Sequence, residues 1–174
     1  TKVLKECTKL KSGAKAFLHP VKNPNLYGVA TINKKNSIIK LVEKPIRSKS
    51  NLAVTGLYFF DNKVIQFSKS LKPSKRNEIE IIDLLKKYKS KNKLKAEMLG
   101  RGGTWLDTGS IVDFNNTSNF VSTIENRQGF KIGCIEEIAL KNNWINKIEI
   151  NNAIKFYGNC HYSKYLTSLI NLKR

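Results

Sequence analysis

Residues 52–62, LAVTGLYFFDN, decide the class of fold of this 174-residue chain. The first nine residues of this stretch are rich in β-branched and aromatic side chains, which predicts a strand over Leu52–Phe60. Asp61 and Asn62 end that strand, and Asp61 is a good N-cap for the helix predicted next. That helix would carry the apolar residues Val64, Ile65, Phe67 and Leu71. A strand that leads directly into a helix is typical of α/β proteins.

The same alternation extends in both directions from this unit. Further strands are predicted at residues 14–18, 27–31, 37–42 and 94–99. Helices are predicted at residues 1–12 and 78–88, the second with inward-facing Ile81, Ile82 and Leu85. A long amphipathic helix capped by Ser110 follows, and its expected core face comprises Ile111, Phe114, Val121 and Ile124.

Helical patterns dominate the chain from about residue 134 onward. We therefore predict an α/β fold with a partial Rossmann-like sheet and helices, followed by a helical C-terminal extension. The predicted boundary divides the chain into residues 1–125 and 126–174.

The net charge of +19 invites a nucleic-acid-binding interpretation, but its make-up argues against one. Lysine supplies 27 of the 32 cations, whereas proteins that bind nucleic acids favour arginine, whose planar guanidinium makes two hydrogen bonds at once. The three cysteines are odd in number and far apart, which is typical of a reducing compartment. No apolar run approaches the roughly 18 residues of a membrane span. We expect a cytoplasmic protein that binds neither nucleic acid nor membrane.

Two short segments are candidates for chemistry. In Glu43-Lys44-Pro45 the carboxylate suits sugar hydroxyls and the ammonium suits a phosphate, although the tripeptide is common and, taken alone, favours an ordinary charged strand end. In residues 105–109, WLDTG, Asp107 follows a strand and precedes a helix, where an aspartate can hold magnesium beside a polyphosphate. A plain turn explains this second segment just as well.

Taken in order, four motifs resemble the sugar-phosphate nucleotidyltransferases. They are residues 27–29 (YGV), 43–45 (EKP), 53–58 (AVTGLY) and 105–109 (WLDTG). The later strings IENRQG at residues 124–129 and CIEEIA at residues 134–139 are similar to the bacterial members that transfer thymidylate to glucose 1-phosphate. The resemblance covers nearly the whole chain and implies an enzyme of nucleotide-sugar synthesis, on the route to dTDP-rhamnose.

The resemblance also implies roles for particular residues. Tyr27 and Gly28 would line the sugar site, Glu43 would bind glucose hydroxyls, and Lys44 would bind the phosphate of glucose 1-phosphate. Val54 and Trp105 would pack against the sugar, Asp107 would be one of two aspartates that hold Mg²⁺, and Arg76 would assist at the phosphate. A second, regulatory nucleotide site would involve Arg101, Glu137 and Ile138. The family uses dTTP, releases pyrophosphate and is commonly tetrameric.

One departure from the family is large. The glycine-rich loop that cradles the triphosphate and the other magnesium aspartate have no match in residues 1–26. We therefore expect this chain to be the C-terminal portion of such an enzyme, inactive by itself. A catalytically dead module that binds sugar phosphates or regulates a partner is the alternative. A basic nucleic-acid-binding protein is a more distant one.

Overall fold

A computed structural model describes residues 2–74, 77–100 and 102–171. The chain divides into two compact units, Thr1–Trp105 and Leu106–Arg174. The domain boundary that the sequence suggested after residue 125 stays a prediction.

The first unit contains five strands and three helices within its described residues. The strands are β1 (Ala14–Pro20), β2 (Gly28–Ile32), β3 (Ile38–Glu43), β4 (Leu52–Phe60) and β5 (Leu94–Met98). The helices are α1 (Lys2–Cys7), α2 (Lys63–Lys69) and α3 (Ile81–Ser90), and a short 3-10 helix spans Pro24–Leu26. The predicted α/β fold is confirmed, and β4 has the predicted bounds.

The five strands form one mixed sheet in the order β3-β2-β4-β1-β5. β1 and β5 pair in parallel, and the other neighbours pair antiparallel. The register between β1 and β4 shifts within this pair of strands. Leu18 pairs with Val54, whereas Ala16, two residues earlier, pairs with Tyr58 rather than with Gly56. Gly56 lies inside this irregular segment with a φ of +84°, a conformation that glycine adopts without steric cost. Such a bulge re-aims the backbone locally.

Helix α3 covers the sheet and completes the core of this unit. Ile82, Leu85 and Tyr88 are fully buried and pack with the small side chains of β1 and with Leu94. Burial of each large apolar side chain contributes about 1.5–3 kcal/mol. The helix begins at Ile81, three residues later than predicted, and the expected inward position of Ile81 is wrong because this residue is exposed.

A buried carboxylate ties three segments of the first unit together. Asp61 accepts hydrogen bonds from the backbone N–H of Gly13 at 2.7 Å, the hydroxyl of Tyr88 at 2.8 Å and the N–H of Lys63 at 3.1 Å. Burial disfavours the charged form, but these donors outweigh it and hold the pKa of Asp61 below its ordinary value. The N-cap position of α2 is Asn62, so the prediction of Asp61 there is off by one residue.

The second unit is helical, as predicted for the C-terminal part. Its helices are α4 (Ile111–Gln128), α5 (Ile135–Lys141), α6 (Lys147–Tyr157) and α7 (His161–Asn171). Cys134, Ile150 and Leu166 are its buried centre. The hydroxyls of Tyr157 and Tyr162 donate to the carboxylate of Glu136.

Helix α4 differs from the prediction in its burial. Ser110 caps it as expected and accepts a hydrogen bond from the N–H of Asp113 at 3.0 Å. The expected core positions Ile111 and Phe114 are instead 82% and 60% exposed, and none of the residues of α4 is buried. The hydrophobic period predicted the helix correctly, but it could not predict whether another part of the chain packs against its apolar face.

Across the part of the chain that the structure describes, no helix combines the length and apolar character that a membrane crossing requires.

Candidate functional site

Strand pairing brings the YGV and EKP motifs together. Gly28 at the start of β2 lies opposite Glu43 at the end of β3. One step further out, the backbone N–H of Lys44 donates to the carbonyl of Tyr27 at 3.0 Å. Residues about fifteen positions apart in the chain are therefore neighbours at one end of the hairpin.

Gly28 leaves room for the Glu43 carboxylate. A Cβ at position 28 would lie 2.9 Å from Oε2 of Glu43 and 2.7 Å from Cδ1 of Ile82. Both distances are shorter than real Cβ contacts, so a side chain at position 28 would displace the Glu43 carboxylate or the end of the Ile82 side chain. The half-buried carboxylate also acts on Tyr58: burial raises the pKa of Tyr58 to about 12, and the negative charge of Glu43 adds to the rise.

Lys44 ends strand β3 in an unusual backbone conformation. Its φ is +41°, in the left-handed region that costs a non-glycine residue roughly 1 kcal/mol. The strand's alternation is broken here, just before the buried Pro45, and the Lys44 side chain is exposed beside half-buried Glu43. Strain of this kind persists at functional sites where the surrounding structure enforces it.

Trp105 is held from two sides. Its Nε1–H donates to the carbonyl of Thr55 at 3.0 Å, within the irregular segment of β4. Its ring stands edge-on to the ring of Tyr27, with centroids 5.1 Å apart. Val54, the residue before Thr55, is buried in the core of the first unit. The first unit thus brings the rings of Tyr27 and Trp105 together, with Val54 next to Thr55 on β4.

Sequence reasoning assigned no role to His19, which lies beside Trp105, or to Tyr58, which lies near Glu43. The His19 ring lies 6.2 Å from that of Trp105, and its Nδ1 is buried without a hydrogen-bond partner among the described residues. No motif marks His19. Tyr58 closes the AVTGLY string, so its position on β4 was a signal that could have singled it out.

Asp107 belongs to the second unit and is half-buried. Its carboxylate folds back over Gly109, where an added Cβ would lie 3.2 Å from Oδ2. No group of three or more His, Cys, Asp or Glu side chains suited to a metal ion occurs within residues 2–74, 77–100 and 102–171. The described residues do not fit a complete magnesium site, because Asp107 contributes a single carboxylate.

The remaining predicted site residues are Arg76, Arg101, Glu137 and Ile138. Arg76 and Arg101 lie outside the described residues. Glu137 on α5 accepts hydrogen bonds from Tyr165 and from Lys141 at 2.5 Å each, so its carboxylate is engaged within the second unit. Ile138 is exposed on the same helix.

Comparison with known proteins shows the family of this chain. Residues 1–124 match the nucleotidyl transferase family, and the chain belongs to that family. It is 40% identical over 170 residues to a glucose-1-phosphate thymidylyltransferase of Neisseria meningitidis, covering 98% of this chain and 59% of that protein. It is also 40% identical to the enzyme of the same name from Xanthomonas campestris, covering 97% of this chain and 57% of that protein. The chain therefore spans less than two thirds of these relatives.

Two solved structures show the same fold. A putative glucose-1-phosphate thymidylyltransferase from Bacillus anthracis, in complex with a sucrose, has a TM-score of 0.60 and 38% identity. The similarity covers 68% of this chain and 47% of that one. A UDP-glucose pyrophosphorylase complexed with UDP-glucose has a TM-score of 0.59 and 26% identity, over 70% of this chain and 47% of that one.

Proposed function

We propose that this chain is the sugar-phosphate-binding part of a glucose-1-phosphate thymidylyltransferase. The juxtaposition of Gly28, Glu43 and Lys44 at one end of the hairpin carries the proposal. It places a carboxylate that accepts hydroxyls next to an ammonium that attracts phosphate, and a sugar phosphate presents both groups.

Each neighbouring residue then has a physical role. The Glu43 carboxylate accepts hydrogen bonds from sugar hydroxyls, and Gly28 leaves room for that carboxylate. Lys44 neutralises the phosphate of glucose 1-phosphate from its exposed position. Trp105 and Tyr27 supply aromatic surface, and the hydrogen bond to Thr55 holds the indole in place. Val54 supports the sugar ring from the core side.

In the proposed reaction, a phosphate oxygen of glucose 1-phosphate attacks the α-phosphorus of dTTP. The new P–O bond forms dTDP-glucose as the bond to the pyrophosphate leaving group breaks. Positioning and charge neutralisation dominate such transfers, which suits a site with a lysine and no obvious general base. Mg²⁺ would neutralise phosphate charge, and Asp107 is the residue of this chain proposed to bind it.

The chain by itself is proposed to bind the sugar phosphate without turnover. Asp107 is one carboxylate where the resemblance implies two, and no segment of the chain matches the glycine-rich triphosphate cradle. Arg76 is proposed to assist at the phosphate. Arg101, Glu137 and Ile138 are proposed to belong to a second, regulatory nucleotide site.

The setting of the enzyme is also a proposal. All three cysteines are free, which supports the cytoplasm as its compartment. The second unit exposes large apolar side chains, among them Trp144 at 73% and Phe156 at 85%, which supports a homo-oligomer such as a tetramer. The product dTDP-glucose would supply dTDP-rhamnose synthesis.

Calorimetric titration with glucose 1-phosphate and with inorganic phosphate tests the site. We expect Lys44→Gln to weaken both ligands, because it removes the phosphate partner. Glu43→Gln is expected to weaken glucose 1-phosphate and leave inorganic phosphate unchanged, because the carboxylate meets only the sugar. Lys95→Gln, an exposed lysine on β5, is the control for net charge. Equal losses in Lys44→Gln and Lys95→Gln, or no binding by the parent chain, would refute the proposal.

A pyrophosphate-release assay with dTTP, glucose 1-phosphate and Mg²⁺ tests the second half of the proposal. We expect no turnover by the purified chain. Measurable pyrophosphate release would show that the residues of this chain suffice for catalysis.

A further inference from the structure

The β2–β3 hairpin carries a cavity on the side opposite Glu43. In the antiparallel register Gly28 lies opposite Glu43, whereas Val29 lies opposite Val42 and Thr31 lies opposite Lys40. Directly opposed residues share a face and neighbouring residues alternate, so the second and third pairs face away from Glu43. A cavity of about 610 Å³ lies on this second face. Its volume falls within the range of small-molecule sites, roughly 300–1,000 Å³.

The floor of the cavity is apolar. Val29 and Val42 line it from the two strands, and Pro45 lines it from the segment that follows β3. Val29 and Pro45 are buried and Val42 is half-buried, so the floor is a fixed surface of the first unit. Such a surface favours the flat apolar part of a ligand over water.

The rim of the same cavity is cationic. Lys40, Arg47 and Lys49 line it, and all three side chains are exposed. None of them forms an ion pair within the described parts of the chain, and the residues around the cavity include no carboxylate. Three unpaired cations around one opening repel each other, and a bound anion relieves that repulsion. Arg47 adds a planar fork that matches two phosphate oxygens.

We propose that this cavity is a second binding site, which takes a phosphorylated small molecule with a flat apolar body. The phosphate lies among Lys40, Arg47 and Lys49, and the apolar body rests on the floor. The site is separate from the proposed sugar-phosphate site, because Glu43 faces the other side of the hairpin. The concave shape and apolar floor favour a small molecule over a nucleic-acid backbone, which is followed by extended basic surfaces.

Naphthyl phosphate is a suitable probe, with inorganic phosphate as the comparison. Calorimetric titration of the purified chain is expected to give an affinity for naphthyl phosphate about tenfold or more above that for inorganic phosphate, because the ring is buried on the floor. The triple variant Lys40→Gln/Arg47→Gln/Lys49→Gln is expected to lose about tenfold in affinity, as three exposed charge pairs are removed. The replaced side chains are exposed, and a melting curve verifies that the variant folds.

Two controls separate this site from its alternatives. Lys69→Gln/Lys72→Gln/Lys95→Gln removes the same charge from exposed lysines outside the cavity, and its affinity is expected to match the parent. Lys44→Gln reports on the sugar-phosphate site and is expected to lower the affinity for naphthyl phosphate far less than the cavity triple variant does. Equal losses in the two triple variants would show a general charge effect and overturn the proposal. A loss confined to Lys44→Gln, equal affinities for the two probes or no binding by the parent would also overturn it.

Discussion

Replacing Gly28 by alanine is the most direct test of how the hairpin accommodates Glu43. The added Cβ would lie 2.7 Å from Cδ1 of Ile82 and 2.9 Å from Oε2 of Glu43. Ile82 is only 1% exposed and cannot move away freely. Overpacking of this kind costs about 1–3 kcal/mol, while the reduced freedom of the unfolded chain offsets about 0.4–1 kcal/mol. We expect the free energy of unfolding to fall by about 1–2 kcal/mol.

A second substitution distinguishes this explanation from a general loss of stability. Ile82→Val removes the crowding Cδ1 atom and by itself costs about 0.5–1.5 kcal/mol. In the double variant Gly28→Ala/Ile82→Val the two losses should sum to less than their separate values by at least about 0.5 kcal/mol. Affinity for glucose 1-phosphate should be lower than that of the parent chain in both Gly28→Ala and the double variant, because the added Cβ displaces the carboxylate of Glu43 in each.

Urea unfolding followed by circular dichroism measures the stabilities, and calorimetric titration measures the affinities. Gly102→Ala is the matched control, since a Cβ there meets nothing within 4 Å. Unchanged stability in Gly28→Ala, or strictly additive losses in the double variant, would refute the packing argument. Restored sugar-phosphate binding in the double variant would refute the role given to the position of Glu43.

Three further predictions concern the buried carboxylate of Asp61 and the indole of Trp105. Tyr88→Phe deprives Asp61 of a hydrogen-bond donor and should lower the free energy of unfolding by about 1.5–3 kcal/mol, measured by urea unfolding. Because the folded state holds the pKa of Asp61 below its ordinary value, its contribution is complete above that value, about 3.9, and is lost on further acidification. In Asp61→Asn the free energy of unfolding should therefore depend less steeply on pH in this acidic range, as measured by urea unfolding at several pH values. Trp105→Phe removes the hydrogen bond to Thr55 and should weaken glucose 1-phosphate binding in calorimetry, whereas Trp144→Phe, at an exposed position, should not.

Local patterns in the sequence were sufficient for most of the secondary structure. The bounds of β4 are those predicted, and the Ser110 cap of α4 is confirmed. The errors arose where burial depends on distant parts of the chain. Ile81 and Ile111 have the right periodicity for a core face, yet both are exposed. A hydrophobic period shows that a face exists, but not what covers it.

The candidate site likewise combines features visible in the sequence with contacts that only the fold creates. The EKP and WLDTG motifs and the resemblance they carry were visible in the sequence, and the comparisons confirm the family. The contact of Gly28 with Glu43 and the bond from Trp105 to Thr55 were not visible, because partners fifteen to fifty residues apart meet only through strand pairing and packing.

The sequence alone determined the α/β class, the strand and helix periods and the excess of lysine, because each depends on neighbouring residues or on composition. Only the tertiary structure decided which face of the hairpin each side chain occupies. Strand side chains alternate with a period of two, so Glu43 and Lys40 lie on opposite faces of β3. The register then puts Gly28 of β2 beside Glu43, and Val29 and Thr31 beside Val42 and Lys40. The residues that each proposed site draws from both strands are therefore set by hydrogen-bonded pairing, which no single segment specifies.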